Sequence, residues 1–454
     1  MNFKHSVMMA AVLSALIGGG ARAGVTPEEA KQLGANLTAV GAEKAGNKEG
    51  TIPEYTGGLA TPPAGYVKGS GMRPDPFAGE KPRLVITGKN LAGMDDKLTA
   101  GTRELLKRYP GFRVDVYPTH RTVALPKAQL DNTAKNALNA KSTDGGVGVE
   151  NVLSGVPFPI PKSGFEVMWN HLLRYQGQAF TTKYESWNVD SSGTPSLATA
   201  GEIFEEFPLA DPKRTEVAQQ NDVFFRTKLT YLAPARRAGE GLMAFDAVNP
   251  AVQPRKVWQY LPGQRRVKLA PDVAYDTPNP GSAGTSTYDN AWIFNGALDR
   301  YDFKLVGKKE MIVPYGEYAL FAAKVVTDVV KPNHLNPDFV RWEQHRVWVV
   351  EATLKPGKRH IYAKRTFYID EDSWVALASD EYDARGQLYR SSFDHLIYAY
   401  DVQATYTGNH VIYDFISGAY NLTGMSGPYG GLKYIEPLKP AQWSPEALSG
   451  SGVR

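Results

Sequence analysis

The side chains able to do chemistry in this chain are dispersed. Beyond His5, the histidines are His120, His171, His334, His345, His360, His395 and His410, and no two stand at i, i+4 or in a His-x-His pair. Helical metal sites use the i, i+4 spacing because it puts two imidazoles on one face. His345 and His360 flank one predicted hairpin and can face each other across it, which makes them the best metal or acid–base candidates. A dispersed histidine is more often a satisfied structural residue. Asp370, Glu371 and Asp372 are adjacent. A calcium loop needs alternate acidic positions and a glycine at its bend, so this run reads as a solvated acidic turn. The chain has no cysteine, which rules out thiolate catalysis and cysteine-ligated metals. It has no G-x-S-x-G elbow, no H-E-x-x-H pair and no phosphate loop, and Gly145-Gly146-Val147-Gly148 lacks the following helix that would make it one. Nothing in the sequence argues for an enzyme.

The elements that must position these side chains read as helices first and strands afterwards. Thr26, Pro27, Glu28 and Glu29 supply a cap, a first-turn proline and two acids for a short helix over 27–37. Residues 41–79 are rich in Gly and Pro, with Ile52, Tyr55, Leu59 and Tyr66 as anchors, and predict a long irregular segment draped over the body. Further helices are expected over 98–109 and 127–140. Residues 163–175 form the clearest helix: Ser163 and Glu166 make a capping-box pattern, and Phe165, Met168, Trp169, Leu172 and Leu173 fall on one apolar stripe.

From Gln178 onward the pattern becomes strands, at 180–189, 222–232, 256–261, 265–269, 344–353, 359–369, 374–382 and 387–400, with turn residues such as Pro262-Gly263 and Lys355-Pro356-Gly357-Lys358 between them. Ile361, Ala363, Phe367 and Ile369 share one face that Arg365 interrupts; the expected partner of that inward charge is an acid in the core. This order predicts a mainly β protein with flanking helices: a strongly curved, continuous antiparallel sheet with the 163–175 helix on its concave side. The expected segments are a leader at 1–23, a helical and irregular wrapping segment at 24–150, the sheet body at 151–420 and a loosely docked Gly/Pro-rich tail at 421–454.

The leader has three parts: Lys4 and His5, an apolar run over 7–17, then Gly18 to Gly20 and the small-x-small site Ala21-Arg22-Ala23. That is the layout of a secretory signal peptide cleaved after Ala23, and the run is shorter than the ~20 residues a membrane-spanning helix needs. No cysteine follows, so the expected product is a soluble periplasmic protein beginning at Gly24. The chain carries 51 Lys and Arg against 47 Asp and Glu, a balance that gives no electrostatic case for nucleic acid. Without disulfides, stability must come from core burial, for which 24 Tyr, 18 Phe and 8 Trp supply the apolar area.

The hairpin Val257-Trp-Gln-Tyr-Leu-Pro-Gly-Gln-Arg-Arg-Val267 resembles the strand-turn-strand signature of the outer-membrane lipoprotein-sorting superfamily, the periplasmic carriers of the Lol system and their relatives. Three further strings resemble one long-chain branch of it, a proteobacterial periplasmic domain-of-unknown-function family. They are residues 37–53, residues 155–161 running into Trp169-Asn-His-Leu-Leu-Arg-Tyr175, and Lys364-Arg-Thr-Phe-Tyr-Ile-Asp-Glu-Asp-Ser-Trp374. Ala39 and Tyr55 depart from the family pattern, where Pro and Trp are expected. The resemblance implies an incomplete β-barrel closed on one side by helices, an apolar cavity that shelters acyl chains, and no catalytic residues or cofactor. It also implies lipid or lipoprotein cargo, with outer-membrane proteins and a resistance-nodulation-division type exporter as further partners. The expected function is a periplasmic carrier or chaperone in envelope trafficking. A structural adaptor of an envelope or efflux complex, and a hydrolase or transferase of an envelope lipid or glycan, are the alternatives.

On the carrier reading, the cavity wall is expected to include Trp169 from the helix stripe, Trp258 and Tyr260 from one face of the hairpin, and Phe367 from the later strands. His171, Arg174, Arg265 and Arg266 are the expected contacts of an anionic head group.

Overall fold

The computed structural model describes residues 25–451. The expected leader and its cleavage point lie outside the described residues.

Strand-forming aromatic and β-branched residues pair into one 16-stranded sheet. In chain order its strands are Leu84–Ile86 (β1), Val114–Val116 (β2), Ala179–Val189 (β3), Pro195–Glu206 (β4), Val223–Ala233 (β5), Gly241–Ala247 (β6), Lys256–Leu261 (β7), Arg266–Leu269 (β8), Tyr301–Pro314 (β9), Trp342–Leu354 (β10), Lys364–Asp370 (β11), Ala376–Tyr382 (β12), Leu388–Ala399 (β13), Ala404–Asp414 (β14), Tyr420–Met425 (β15) and Leu432–Tyr434 (β16). From one edge to the other they run β9-β10-β11-β12-β13-β14-β15-β3-β4-β5-β6-β7-β8, with every neighbour antiparallel. The β1–β2 pair meets β10 through the parallel bridge Val116–Trp342, and β16 lies beside β3 beyond the end of β15. Register shifts at Leu305/Gly307, His395/Leu396, Ser186/Trp187 and Ala200/Gly201 insert extra residues that bend the strands and increase the twist. The result is an open, curved sheet, as the order of elements predicts. Its edges, β8 and β9, share no ladder; the connector 270–300 joins them.

Four helices precede the sheet body: Pro27–Ala30 (α1), Ala100–Arg108 (α2), Lys127–Asn139 (α3) and Gly164–Leu172 (α4). The Ser163 hydroxyl caps α4 by accepting from the Glu166 amide at 3.2 Å, while the Glu166 carboxylate reaches one residue further back than a capping box would, to the Lys162 amide. The apolar stripe of α4 bridges the two halves of the curve. Trp169 meets Phe224 of β5 edge-on at 6.0 Å, and Phe165 meets Phe303 of β9 at 5.1 Å. The other face of the sheet has its own core, where Leu105 and Leu106 of α2 pack with Val347, Val349, Leu377 and Phe393. There α2 lies so close to β13 that a Cβ on Gly101 would fall 1.9 Å from the Ser391 Oγ. The Asp380 carboxylate of β12 accepts from the Ala100 and Gly101 amides at 2.9 and 2.8 Å, which satisfies the orphan donors at the helix start.

Three local expectations are corrected. The first helix stops at Ala30, and the chain turns at Gly34 with φ of 84° instead of continuing to residue 37. The strand expected from 359 begins at Lys364, because His360 and Ile361 are drawn off to Asp289 and Asp276 of the connector. The tail is built into the fold rather than loosely docked: β15 fills the place between β14 and β3, and Trp443 donates to the Glu206 carboxylate at 3.0 Å. Strands β1, β2, β4, β6, β9, β14, β15 and β16 are not legible as strands in the sequence. Among the described residues, no helix is long and apolar enough to cross a membrane.

Candidate functional site

Alternation along β3–β7 turns Tyr184, Ile203, Phe225, Leu229, Leu242 and Val257 to one face, and over them the connector lays Val273, Tyr288 and Trp292. Between these two layers is a cavity of about 240 Å³. Its wall is mainly apolar, with a few converging polar groups, which is the usual make-up of a small-molecule site.

The connector is held down by a charged hub. The Asp289 carboxylate accepts from His360 Nε2 at 3.0 Å, Arg365 Nη1 at 3.1 Å and the Thr287 hydroxyl at 2.6 Å. Arg365 is 0% exposed, donates also to the Ile293 carbonyl at 2.7 Å, and lies among the rings of Phe294, Tyr362 and Phe367. Burial alone would raise the Asp289 carboxyl, but the Arg365 charge and the His360 hydrogen bond outweigh it and hold the group below its ordinary range. Arg365 thus has the acidic partner its inward position demanded. Trp292 and Ile293, just beyond the hub, both have positive φ, 49° and 68°. Non-glycine residues adopt this conformation only where surrounding contacts compel it.

On the floor of the cavity, Glu205 of β4 and Thr227 of β5 are directly opposed partners in the ladder. Glu205 is 3% exposed, and burial pushes its carboxyl up to about 8 against the opposing pull of the Arg174 charge. The Glu205 Oε2 and Thr227 Oγ1 atoms are buried without hydrogen-bond partners, as are Asn290 Nδ2 from the connector and His410 Nε2 from β14. His410 Nδ1 is 2.5 Å from Asp394 Oδ1. Arg255, the guanidinium on the wall, is clamped by both oxygens of Asp246 at 2.6 and 2.7 Å and by the Asn295 side chain at 2.6 Å.

None of the eight residues expected to form the site lines this cavity. Trp169 is 1% exposed and packs in the core, its indole N–H donating to the Gly146 carbonyl. Phe367 is buried among Phe294, Phe303 and Arg365. Trp258 and Tyr260 face away from the cavity and pack with Phe245, Met243, Trp443 and Leu448; Val257, one residue along, is the side chain that faces in. The expected facing of the hairpin is one residue out of step, and a period of two turns that slip into the opposite side of the sheet. Arg265, at the hairpin turn in a left-handed conformation, and Arg266 are exposed. His171 is fully buried, its ring nitrogens engaged with the backbone of Trp292, Phe294, Trp374 and Ala376; burial, with the Arg174 charge beside it, holds its pKa well below the usual value and leaves it neutral. Arg174 donates to the His171 carbonyl at 2.7 Å and to Gln176 at 3.1 Å, behind the cavity wall. The structure therefore does not gather these four basic residues into a head-group site.

The metal and acid–base candidates separate as well. His360 belongs to the Asp289 hub, whereas His345 pairs with Glu343 at 3.0 Å and stacks on Tyr315 at 3.8 Å. Asp370, Glu371 and Asp372 are buried, not solvated: Arg121 holds Asp372 at 2.7 and 2.8 Å, and Lys308 holds Glu371 at 2.8 Å. His345, Asp370 and Asp372 can each place a ligand atom within 4.8 Å of the others, but Arg121 already supplies the cation that a metal would bring.

A family model for proteins of unknown function, DUF1329, matches residues 85–449. The chain belongs to this family. An uncharacterised protein of Pseudomonas aeruginosa is 41% identical over 440 residues, covering 95% of each chain. Among solved structures, the chain is similar to a DUF1329 family protein from Desulfovibrio piger, at 15% identity over 63% of this chain and 97% of that one, with a TM-score of 0.43. It is also similar to a putative outer membrane lipoprotein-sorting protein domain from Vibrio parahaemolyticus, at 14% identity over 63% and 97% of the two chains, with a TM-score of 0.42. The family expected from the four sequence strings is the one that matches.

The residues that line the cavity left little trace in the sequence. Glu205 precedes a second acid, Glu206, and the pair reads as a solvated edge; only the alternation of Ile203 and Glu205 against Phe204 and Glu206 hints that one acid points inward.

Proposed function

We propose that this protein is a periplasmic carrier that shelters an apolar molecule, a lipid or the acyl chain of a lipoprotein, and passes it to outer-membrane proteins or to an exporter of the resistance-nodulation-division type. The observation that carries the reading is the cavity of about 240 Å³ between β3–β7 and the connector. A sheet that only packed its own core would fill that space with side chains. Each buried methylene contributes ~0.8 kcal/mol, so an acyl chain binds here with few polar contacts. The connector is the natural gate, since it crosses the sheet opening without a ladder to either edge strand. The role is binding rather than catalysis: the cavity wall presents no nucleophile activated by a base. Native mass spectrometry of protein isolated from its own periplasm tests this. A co-purifying lipid-sized mass is the expected result. A clean apo mass, together with failure of the delipidated protein to take up the apolar dye N-phenyl-1-naphthylamine, would leave the adaptor as the better reading.

A further inference from the structure

The carrier reading leaves the polar end of the cargo unspecified, and the cavity floor constrains it. An apolar cavity that carries unpartnered polar atoms loses the desolvation free energy of each one unless a ligand supplies the missing partner. Four such atoms, Glu205 Oε2, Thr227 Oγ1, Asn290 Nδ2 and His410 Nε2, belong to residues that line this cavity. Glu205 and Thr227 are register partners on adjacent strands, so their side chains stand side by side.

The charges around the cavity decide against an anion. Arg255 is neutralised by Asp246. His410 is paired with Asp394. Arg174 lies behind the wall, where it faces Asp394 and Glu205. A carboxylate or phosphate placed inside would meet Glu205 and find no uncompensated cation among the residues that line the cavity. A hydroxyl, by contrast, both donates and accepts one hydrogen bond, and a carboxylic acid beside a threonine hydroxyl offers the complementary pair.

We propose that Glu205 and Thr227 form a hydroxyl-binding subsite, and that the cargo is an uncharged long-chain alcohol rather than a fatty acid or a phospholipid. The hydroxyl bridges the two side chains, and the alkyl chain lies along Leu229, Leu242 and Val257. This deepens the carrier reading and rests on it.

Displacement of N-phenyl-1-naphthylamine from the delipidated full-length protein at pH 7, by dodecanol, dodecanoate and dodecylamine in turn, tests the subsite. Dodecanol is expected to displace the dye at about one-tenth the concentration that dodecanoate requires, the difference made by one satisfied against one unsatisfied buried polar group. Glu205→Gln keeps a donor and an acceptor and should retain dodecanol binding. Glu205→Leu should weaken dodecanol about tenfold relative to the dye, whose own affinity for the variant is titrated directly; Thr227→Val gives the same reading if the leucine variant does not fold. Equal displacement by all three ligands, or a Glu205→Leu protein that binds dodecanol as before, overturns the subsite while the cavity and the carrier role stand. Tighter binding of dodecylamine that collapses in Glu205→Gln also overturns it, by revealing a cation site. Absence of dye binding by the wild type removes the carrier reading itself, and the subsite with it.

Discussion

At the residue scale, Glu205 ties the chemistry of the cavity to the stability of the fold. Its carboxyl is held near 8 by burial, far above the 4.5 of a free glutamate. The folded state therefore binds this proton more tightly than the unfolded chain does. Its contribution is complete below pH 4.5 and is lost as pH rises through 8, because ionisation then charges a group that faces Arg174 but bonds to nothing. The groups around it either pair elsewhere, as His410 does with Asp394, or are neutral, as Thr227 and Tyr406 are. Glu205→Gln cannot ionise, whereas Glu381, another buried carboxyl raised to about 7, still does, so the melting temperature of the variant should fall less steeply between pH 6 and 9 than that of the wild type; parallel profiles would show that Glu205 does not titrate in this window. Arg365 illustrates what is legible at this scale. Its position on an apolar face demanded a buried acid, and one is there. Which acid was not legible, because Asp289 lies 76 residues earlier in a loop with no pattern of its own. The same limit hid Glu205, whose inward direction depends on a strand, Pro195–Glu206, that its mixed sequence does not announce.

At the element scale, the connector 270–300 does what a strand would do in a closed barrel: it covers the gap between β8 and β9. It does so through side chains, not through a ladder, and so depends on the Asp289 hub. Asp289→Asn keeps the shape but removes the charge facing the buried Arg365 guanidinium. Breaking such a pair costs about 3–5 kcal/mol. Hydrogen exchange should then quicken across 286–296 while the amides of β10–β13 stay protected; uniform loss of protection would mean that the hub holds the whole fold rather than the connector. The close approach of α2 to β13 is a second element-level constraint. Gly101→Ala places a methyl against Ser391, at an overpacking cost of about 1–3 kcal/mol. Urea unfolding would register the loss as a lower midpoint with an unchanged slope. Helices α2 and α4 are readable because a capping hydroxyl, Thr99 or Ser163, and an apolar face are local signals. The facing of the β7–β8 hairpin was not, since Trp258 and Val257 are both apolar and only the partners across the sheet choose between them.

At the scale of the whole molecule, chain order and sheet order diverge where it matters. The order of elements gave helices followed by antiparallel strands. It could not show that the last strands return to the middle. β15 lies between β14 and β3, so the half of the sheet carrying the cavity, β3–β8, is joined to the half built from β9–β14 through a strand that the chain makes near its end. Leu422 of that strand is fully buried, and its Asn421 side chain donates to Asn188 of β3 at 2.7 Å. Beyond β16, the final segment is a clamp of a different kind: Trp443 and Leu448 cover Met243 and Tyr260 on the outer side of β6 and β7. Two truncations separate these roles. A chain ending at Ile435 keeps β15 and β16 and loses only the clamp, whose two large apolar side chains contribute about 3–6 kcal/mol. It should remain folded, with a lower melting temperature and a newly exposed Trp258 detectable by fluorescence. A chain ending at Ala419 lacks the joining strand altogether and leaves two unpaired edges inside the protein. It should fail to accumulate as folded protein, giving neither a cooperative melt nor dye uptake. If the chain ending at Ala419 melted cooperatively and close to the full-length protein, the last residues would be the loosely docked tail their composition suggests, and the two halves of the sheet would have to be held together by α4 and the connector.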